Sequence, residues 1–168
     1  WLFLLDRGIG IDMSSLFTEH VLSLMIAMPF IGMVVLAFLS DRKWVLSATL
    51  VTTLINLALA FSLWSRFDLV ETGMQFVERV DWMPTFGIEY AVGVDGISLL
   101  LVLLTTFLPP LCVLGSWDSI RTRLKAFMML ILLVEGAMMV VFTALDAFLF
   151  FMLWEVTMVP MYFMMRYF

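Results

Sequence analysis

Five stretches of almost uncharged residues, at 21–39, 44–64, 97–115, 126–145 and 147–165, recur along this chain. Each runs for about 19 to 21 residues, enough at about 1.5 Å per residue to cross the roughly 30 Å hydrocarbon core of a bilayer. No other feature narrows the fold so far. In lipid every backbone N–H and C=O must be satisfied within protein, so stretches of this kind become helices packed side by side. The predicted fold class is therefore all-α, a polytopic transmembrane helix bundle. Composition agrees, with 64% hydrophobic and 14% charged residues against about 45–50% and 25% in soluble domains.

The loops set the orientation. Arg42 and Lys43 separate the first two stretches, and Arg121, Arg123 and Lys125 separate the third and fourth. The longer segment 65–96 carries Asp68, Glu71, Glu78, Asp81, Glu89 and Asp95 against Arg66 and Arg79. Basic loops stay on the cytoplasmic side, so the N-terminus and the acidic segment are expected on the opposite side, which in a bacterial inner membrane is the periplasm. Arg166, after the fifth stretch, obeys the same assignment. Trp44, Trp64 and Trp117 fall at helix ends, as an interfacial aromatic belt requires, whereas Trp154 falls at mid-helix. The first stretch follows Glu19 and His20 and precedes Asp41, without the basic lead and small-residue site of a cleavable signal, and is expected to remain in the membrane.

The domain reading is accordingly an N-terminal extension at 1–20, helices at 21–64, a periplasmic loop at 65–96 and helices at 97–168. Residues 1–12, ahead of Met13, read as an upstream addition. The loop, with Trp82, Pro84, Phe86 and Tyr90, suits a connector lying at the interface, and Asp95 is placed to cap the third helix. Pro109 and Pro110 remove two backbone donors and are expected to bend or break that helix.

Several chemistries are excluded or disfavoured. A formal charge of −5, with no basic cluster outside short loops, argues against nucleic acid. Cys112, the single cysteine, reads as a buried, inert thiol. His20 is the single histidine and reads as a surface residue. The 15 methionines are scattered as apolar filler, no metal-binding spacing occurs, and no phosphate-binding glycine loop is present.

Two acids remain inside apolar stretches. Glu155 lies within "FLFFMLWEVTMVPMYFMM" (148–165) and Glu135 within "ILLVEGAMMVVF" (131–142). A charge at the centre of a bilayer helix costs about 2.5 to 3.5 kcal/mol on insertion scales, so both are expected to face protein interior or a hydrated cavity. The chemistry open to such groups is uptake and release of protons: loss of water favours the neutral acid, a nearby cation the ionised one. Pro160 adds a freed backbone carbonyl about one turn back from itself. The competing reading makes each a neutral acid that only fixes helix packing. No Lys or Arg lies inside an apolar stretch to act as partner.

"LDAFLFF" (145–151) followed by "LWEVTMVPMYF" (153–163) resembles the fifth helix of subunit M (chain 4) of proton-pumping NADH:quinone oxidoreductase, respiratory complex I. "WMPTFGIEYAVGVDGISLLLVLLTTFLPPL" (82–111) and "LLVEGAMMVVFTALD" (132–146) resemble the third and fourth helices of that family. The resemblance runs over about residues 13–165, and its Pro-Met-Tyr-Phe after Trp-Glu is closer to subunit M than to the related L and N subunits. It implies an antiporter-like fold of about fourteen helices built from two inverted five-helix repeats, of which this sequence holds the N-terminal five. It also implies that Glu155 is a proton-pathway residue paired with a lysine on the seventh helix, beyond Phe168, and that Glu135 is a secondary one. NADH, FMN, iron–sulfur clusters and quinone would be held by other subunits, leaving no cofactor, metal or catalytic residue here. The partners implied are the other complex I membrane subunits, above all L and N, and the lipid bilayer. Two alternatives share these residues: a subunit of a multisubunit cation/proton antiporter, and a structural membrane fragment that does not pump.

Overall fold

The computed structural model describes residues 20–168 except 69, 72 and 121; Arg121 and the predicted N-terminal extension, apart from its last residue His20, lie outside the described residues. Five helices stand where the apolar stretches predict them: α1 (Val21–Phe38), α2 (Arg42–Arg66), α3 (Gly96–Gly115), α4 (Leu124–Thr143) and α5 (Ala147–Tyr167). All five are long and apolar enough to cross a membrane, and the chain is a multi-pass membrane protein.

Helix α4 is the hub, packing against each of the other four. Of its most apolar window 56% is buried, against 17% for α5, which leans on α4 and leaves most of its surface uncovered. Small residues permit the close approach: a Cβ on Gly32 would stand 2.7 Å from Thr52 Cγ2 and 3.1 Å from Leu132 Cδ1, so α1 meets α2 and α4 there backbone to side chain. The core is split into two apolar clusters. One, at the acidic-segment end, gathers Leu22, Met25, Leu63, Val102 and Met139; the other, at the basic-loop end, gathers Leu36, Leu46, Val113, Met128 and Leu132.

The segment read as a connector is instead folded. Strands β1 (Gln75–Met83) and β2 (Ile88–Val94) pair antiparallel around a 3-10 turn at Pro84–Phe86, with Gly87 at φ 67° closing it. A positive φ suits glycine, which has no Cβ to clash. The hairpin is tied to the bundle: Leu145 N donates to Ala91 O at 2.8 Å, and Val92 bridges Ala144. Glu78 of β1 reaches the start of α1, which has no side-chain cap of its own. Its buried carboxylate accepts from Leu22 N (2.9 Å), Ser23 N (3.3 Å) and Ser23 Oγ, and Ser23 Oγ also meets Tyr90 Oη at 2.9 Å. An anion at a helix N-terminus is favoured by the exposed N–H groups and the helix dipole. Burial pushes the Tyr90 phenol above its usual 10.0; the Ser23 hydrogen bond opposes this and the Glu78 charge adds to it. His20, exposed as expected, stands 3.7 Å from Glu78.

At the opposite end the basic residues bind carbonyls. Arg42 donates to Ile120 O at 3.0 Å and to Trp117 O, and Lys125 donates to Ala37 O at 2.7 Å. They satisfy carbonyls near the ends of α1 and α3 that have no intrahelical donor. Arg123 and Arg166 both lie over the Tyr167 ring, which puts Arg166 at this end too.

Three expectations resolve at the helices themselves. Asp95 does cap α3: Ser98 N donates to its Oδ1 at 2.7 Å, and Asp95 N donates back to Ser98 Oγ at 2.8 Å. The Ser98 hydrogen bond holds the Asp95 carboxyl below its usual 3.8. Helix α3 runs unbroken through Pro109 and Pro110, both buried between neighbours. Cys112 is exposed rather than buried, because it faces a part-open cavity beside α3 instead of a packed neighbour.

Candidate functional site

Helix α2 turns one polar stripe inward. Thr49, Thr53 and Asn56 recur at spacings of four and three, share a face, and are fully buried. Thr106 of α3 and Glu135 of α4 are buried at the same level. Along each helix this level falls between the two apolar clusters, so the bundle carries a polar layer at mid-height. Hydroxyls in it are spent locally: Thr49 donates to Val45 O (2.8 Å), Thr53 to Leu50 O (3.0 Å) and Thr106 to Val102 O (3.1 Å).

Glu135 is the acid of the layer. Asn56 Nδ2 donates to its Oε1 at 2.8 Å, joining helices 79 residues apart in the chain. Glu135 Oε2 and Asn56 Oδ1 are buried without a partner among the described residues. A cavity of about 290 Å³ between α3, α4 and the end of α5 has Glu135 on its wall, with Thr105, Pro109, Cys112, Ile131 and Met164. The expectation that a membrane acid turns inward therefore holds for Glu135.

It does not hold for Glu155 within these five helices. Glu155 is exposed and, among the described residues, makes no hydrogen bond or ion pair. Phe148, Phe151, Met158, Tyr162 and Met165 are exposed with it at helical spacing, forming a stripe on the side of α5 that α4 does not cover. Thr157 and Pro160 lie on the covered side, and the helix continues past Pro160 to Tyr167. The structure thus does not bring Glu135 and Glu155 together. Asn56, which sequence reasoning passed over, is the only asparagine of the chain; an amide within an apolar span was the available signal. Among the described residues no group of three or more His, Cys, Asp or Glu is placed to hold a metal ion.

Residues 23–143 match the family model described as NADH-ubiquinone oxidoreductase chain 4, amino terminus. The chain is 42% identical over 154 residues to NADH-quinone oxidoreductase subunit M of Rhodobacter capsulatus, covering 86% of this chain and 29% of the relative. It is 37% identical over 147 residues to NADH-ubiquinone oxidoreductase chain 4 of Arabidopsis thaliana, covering 84% and 29%. With NAD(P)H-quinone oxidoreductase chain 4 1 of Synechococcus elongatus the identity is 43% over 104 residues, covering 62% and 19%. The chain therefore spans less than a third of the length of these relatives.

Proposed function

The chain belongs to the NADH-ubiquinone oxidoreductase chain 4 family, and from that premise we propose that it takes part in proton translocation coupled to electron transfer from NADH to quinone. It does so as the N-terminal part of a membrane subunit, in a bacterial inner membrane with its N-terminus periplasmic. The L and N antiporter-like subunits are its nearest partners. NADH, FMN, iron–sulfur clusters and quinone are bound elsewhere in the complex, and this part supplies proton-carrying side chains rather than a redox site.

The observation that carries the reading is Glu135: a carboxyl at mid-helix, buried, with a single donor and one oxygen left over. A group kept only for packing would be expected to have its hydrogen bonds complete. Glu155 fits the same reading from the other side. Its stripe on α5 is the face on which further helices would pack, and the family resemblance places a lysine on one of them. The pairing of that lysine with Glu155 gives a carboxylate whose proton affinity changes as the cation approaches or withdraws.

The test is NADH-driven proton pumping in inverted membrane vesicles carrying Glu155→Gln, and separately Glu135→Gln, in the full-length subunit, normalised to assembled complex. The expected result is collapse of pumping for Glu155→Gln, partial retention for Glu155→Asp, and a smaller loss for Glu135→Gln. Pumping by Glu155→Gln equal to that of the parent would leave the carboxylate a packing residue and sink the reading.

A further inference from the structure

The polar layer between the two apolar clusters is short of a donor. An ionised carboxylate only accepts, and an amide donates only from its nitrogen. The pair therefore sets Glu135 Oε1, Glu135 Oε2 and Asn56 Oδ1 against the single nitrogen Asn56 Nδ2, and two of those oxygens are unpartnered. Neighbours do not supply the missing hydrogen, because Thr49, Thr53 and Thr106 each donate to a carbonyl of their own helix. Nor is a cation at hand. The basic residues of α2, α4 and α5, namely Arg42, Lys43, Arg66, Lys125 and Arg166, all sit at helix ends. One proton on Glu135 turns an orphaned acceptor into a donor, and Asn56 Oδ1 is the orphaned acceptor of the same pair.

We propose that Asn56 is the positioning residue of Glu135: its amide nitrogen fixes the carboxyl across the α2–α4 interface, and its carbonyl oxygen accepts the hydrogen bond of the Glu135 O–H when the acid is protonated. The proposal rests on the reading of Glu135 as a proton-carrying group and names the residue that sets its orientation. The only bond that changes is the Glu135 O–H bond, formed when the acid is loaded with a proton and broken when the acid is emptied. Apolar clusters lie above and below the pair, and the cavity that Glu135 lines lies beside it. The amide at position 56 is in this view specific. Leucine has nearly the same size yet neither donates nor accepts.

The experiment compares static infrared spectra of the assembled complex with pumping in the same membranes. Subtracting Glu135→Gln from the parent is expected to leave a carboxylic-acid C=O band lowered in wavenumber by hydrogen bonding. In Asn56→Leu that band is expected to shift to higher wavenumber, and pumping to be lost in part. Asn56→Leu placed on the Glu135→Gln background is expected to add no further loss, because Asn56 acts through Glu135. Where Asn56→Leu does not assemble, Asn56→Ser, smaller and too short to reach the carboxyl, makes the same comparison. Absence of a Glu135-dependent acid band overturns the proposal, as does a band unmoved by both Asn56 variants. If Glu135→Gln pumps like the parent while the band still follows Asn56, the positioning stands and the pumping role of Glu135 falls.

Discussion

Glu78, at the hairpin end of the bundle, accepts from Leu22 N, Ser23 N and Ser23 Oγ, whereas Glu135, at mid-helix in α4, has the Asn56 amide as its single donor. Both side chains are buried. The first is a saturated carboxylate: it meets backbone N–H groups at a helix start, where negative charge is favoured, and it pins the hairpin to α1. The second is an unsaturated one in a layer without cations. Burial alone therefore does not tell the two acids apart. What separates the two is the donor count, since a carboxyl with all its partners has little to gain from exchanging a proton, and one with an orphaned oxygen does.

Removing the saturated carboxylate should have the largest structural effect. Glu78→Ala leaves Leu22 N and Ser23 N without their acceptor, and hydrogen bonds to a charged group are worth about 1.5 to 3 kcal/mol each. A local loss of about 3 kcal/mol corresponds to exchange of those two amides roughly 100-fold faster, readable by hydrogen–deuterium exchange. Unchanged protection at Leu22 and Ser23 would mean that the hairpin does not hold α1 and would break the comparison at its structural side. Next in size is Gly32→Ala. The added Cβ meets Thr52 and Leu132, and overpacking of this kind costs about 1 to 3 kcal/mol. Its thermal unfolding in detergent should fall below that of the parent, because the β-branched Thr52 side chain has little room to turn away.

The same substitution at the two acids then sharpens the contrast. Glu135→Gln keeps the size of the side chain and gives Asn56 Oδ1 a donor, so its stability should stay within about 1 kcal/mol of the parent while pumping falls. Glu78→Gln should show the reverse pattern, with faster exchange at Leu22 and Ser23 and pumping near the parental rate in assembled complex. Equal behaviour of the two variants would erase the distinction between a clamp and a proton carrier.

These differences were unevenly legible in the sequence. The five helices were plain, because length and hydropathy decide them, and so was the Asp95 start of α3, which rests on local capping chemistry. The hairpin was hidden. Its pattern is inverted where it matters, with Val77 and Val80 exposed and Glu78 buried, since the inward position faces N–H groups rather than apolar side chains. Register shifts between Gln75 and Glu78 and between Asp81 and Met83 further break the alternation that reveals a strand. The facing of Glu155 was hidden for another reason. In lipid the outer surface of a helix is as apolar as its packed side, so the ring of Phe, Met and Val around α5 does not encode which way the acid points. Glu135 was legible as a buried acid, but its partner came from α2, and no local pattern links residues so far apart in the chain.

The smallest effect concerns the join between hairpin and bundle, at Asp95. The Ser98 hydrogen bond lowers this carboxyl below its usual 3.8, so the folded chain binds this proton less readily than the unfolded one. Stability from the cap is therefore complete above the usual value and is lost as pH falls through the lower, folded one. Asp95→Ala should cost about 1 kcal/mol at neutral pH, the ordinary loss for an N-cap. Asp95→Asn is the sharper variant: asparagine caps about as well as aspartate but does not titrate. Amide exchange at Ser98, measured as the ratio of parent to Asp95→Asn so that intrinsic pH effects cancel, should stay flat near neutrality and rise in acid. A ratio flat throughout would show that the Ser98 bond does not depend on the Asp95 charge. The cap would then hold with its carboxyl neutral, and acid would leave the join intact at all three of its ties: the Asp95 cap, the Leu145 to Ala91 hydrogen bond at β2 and the Glu78 clamp at β1.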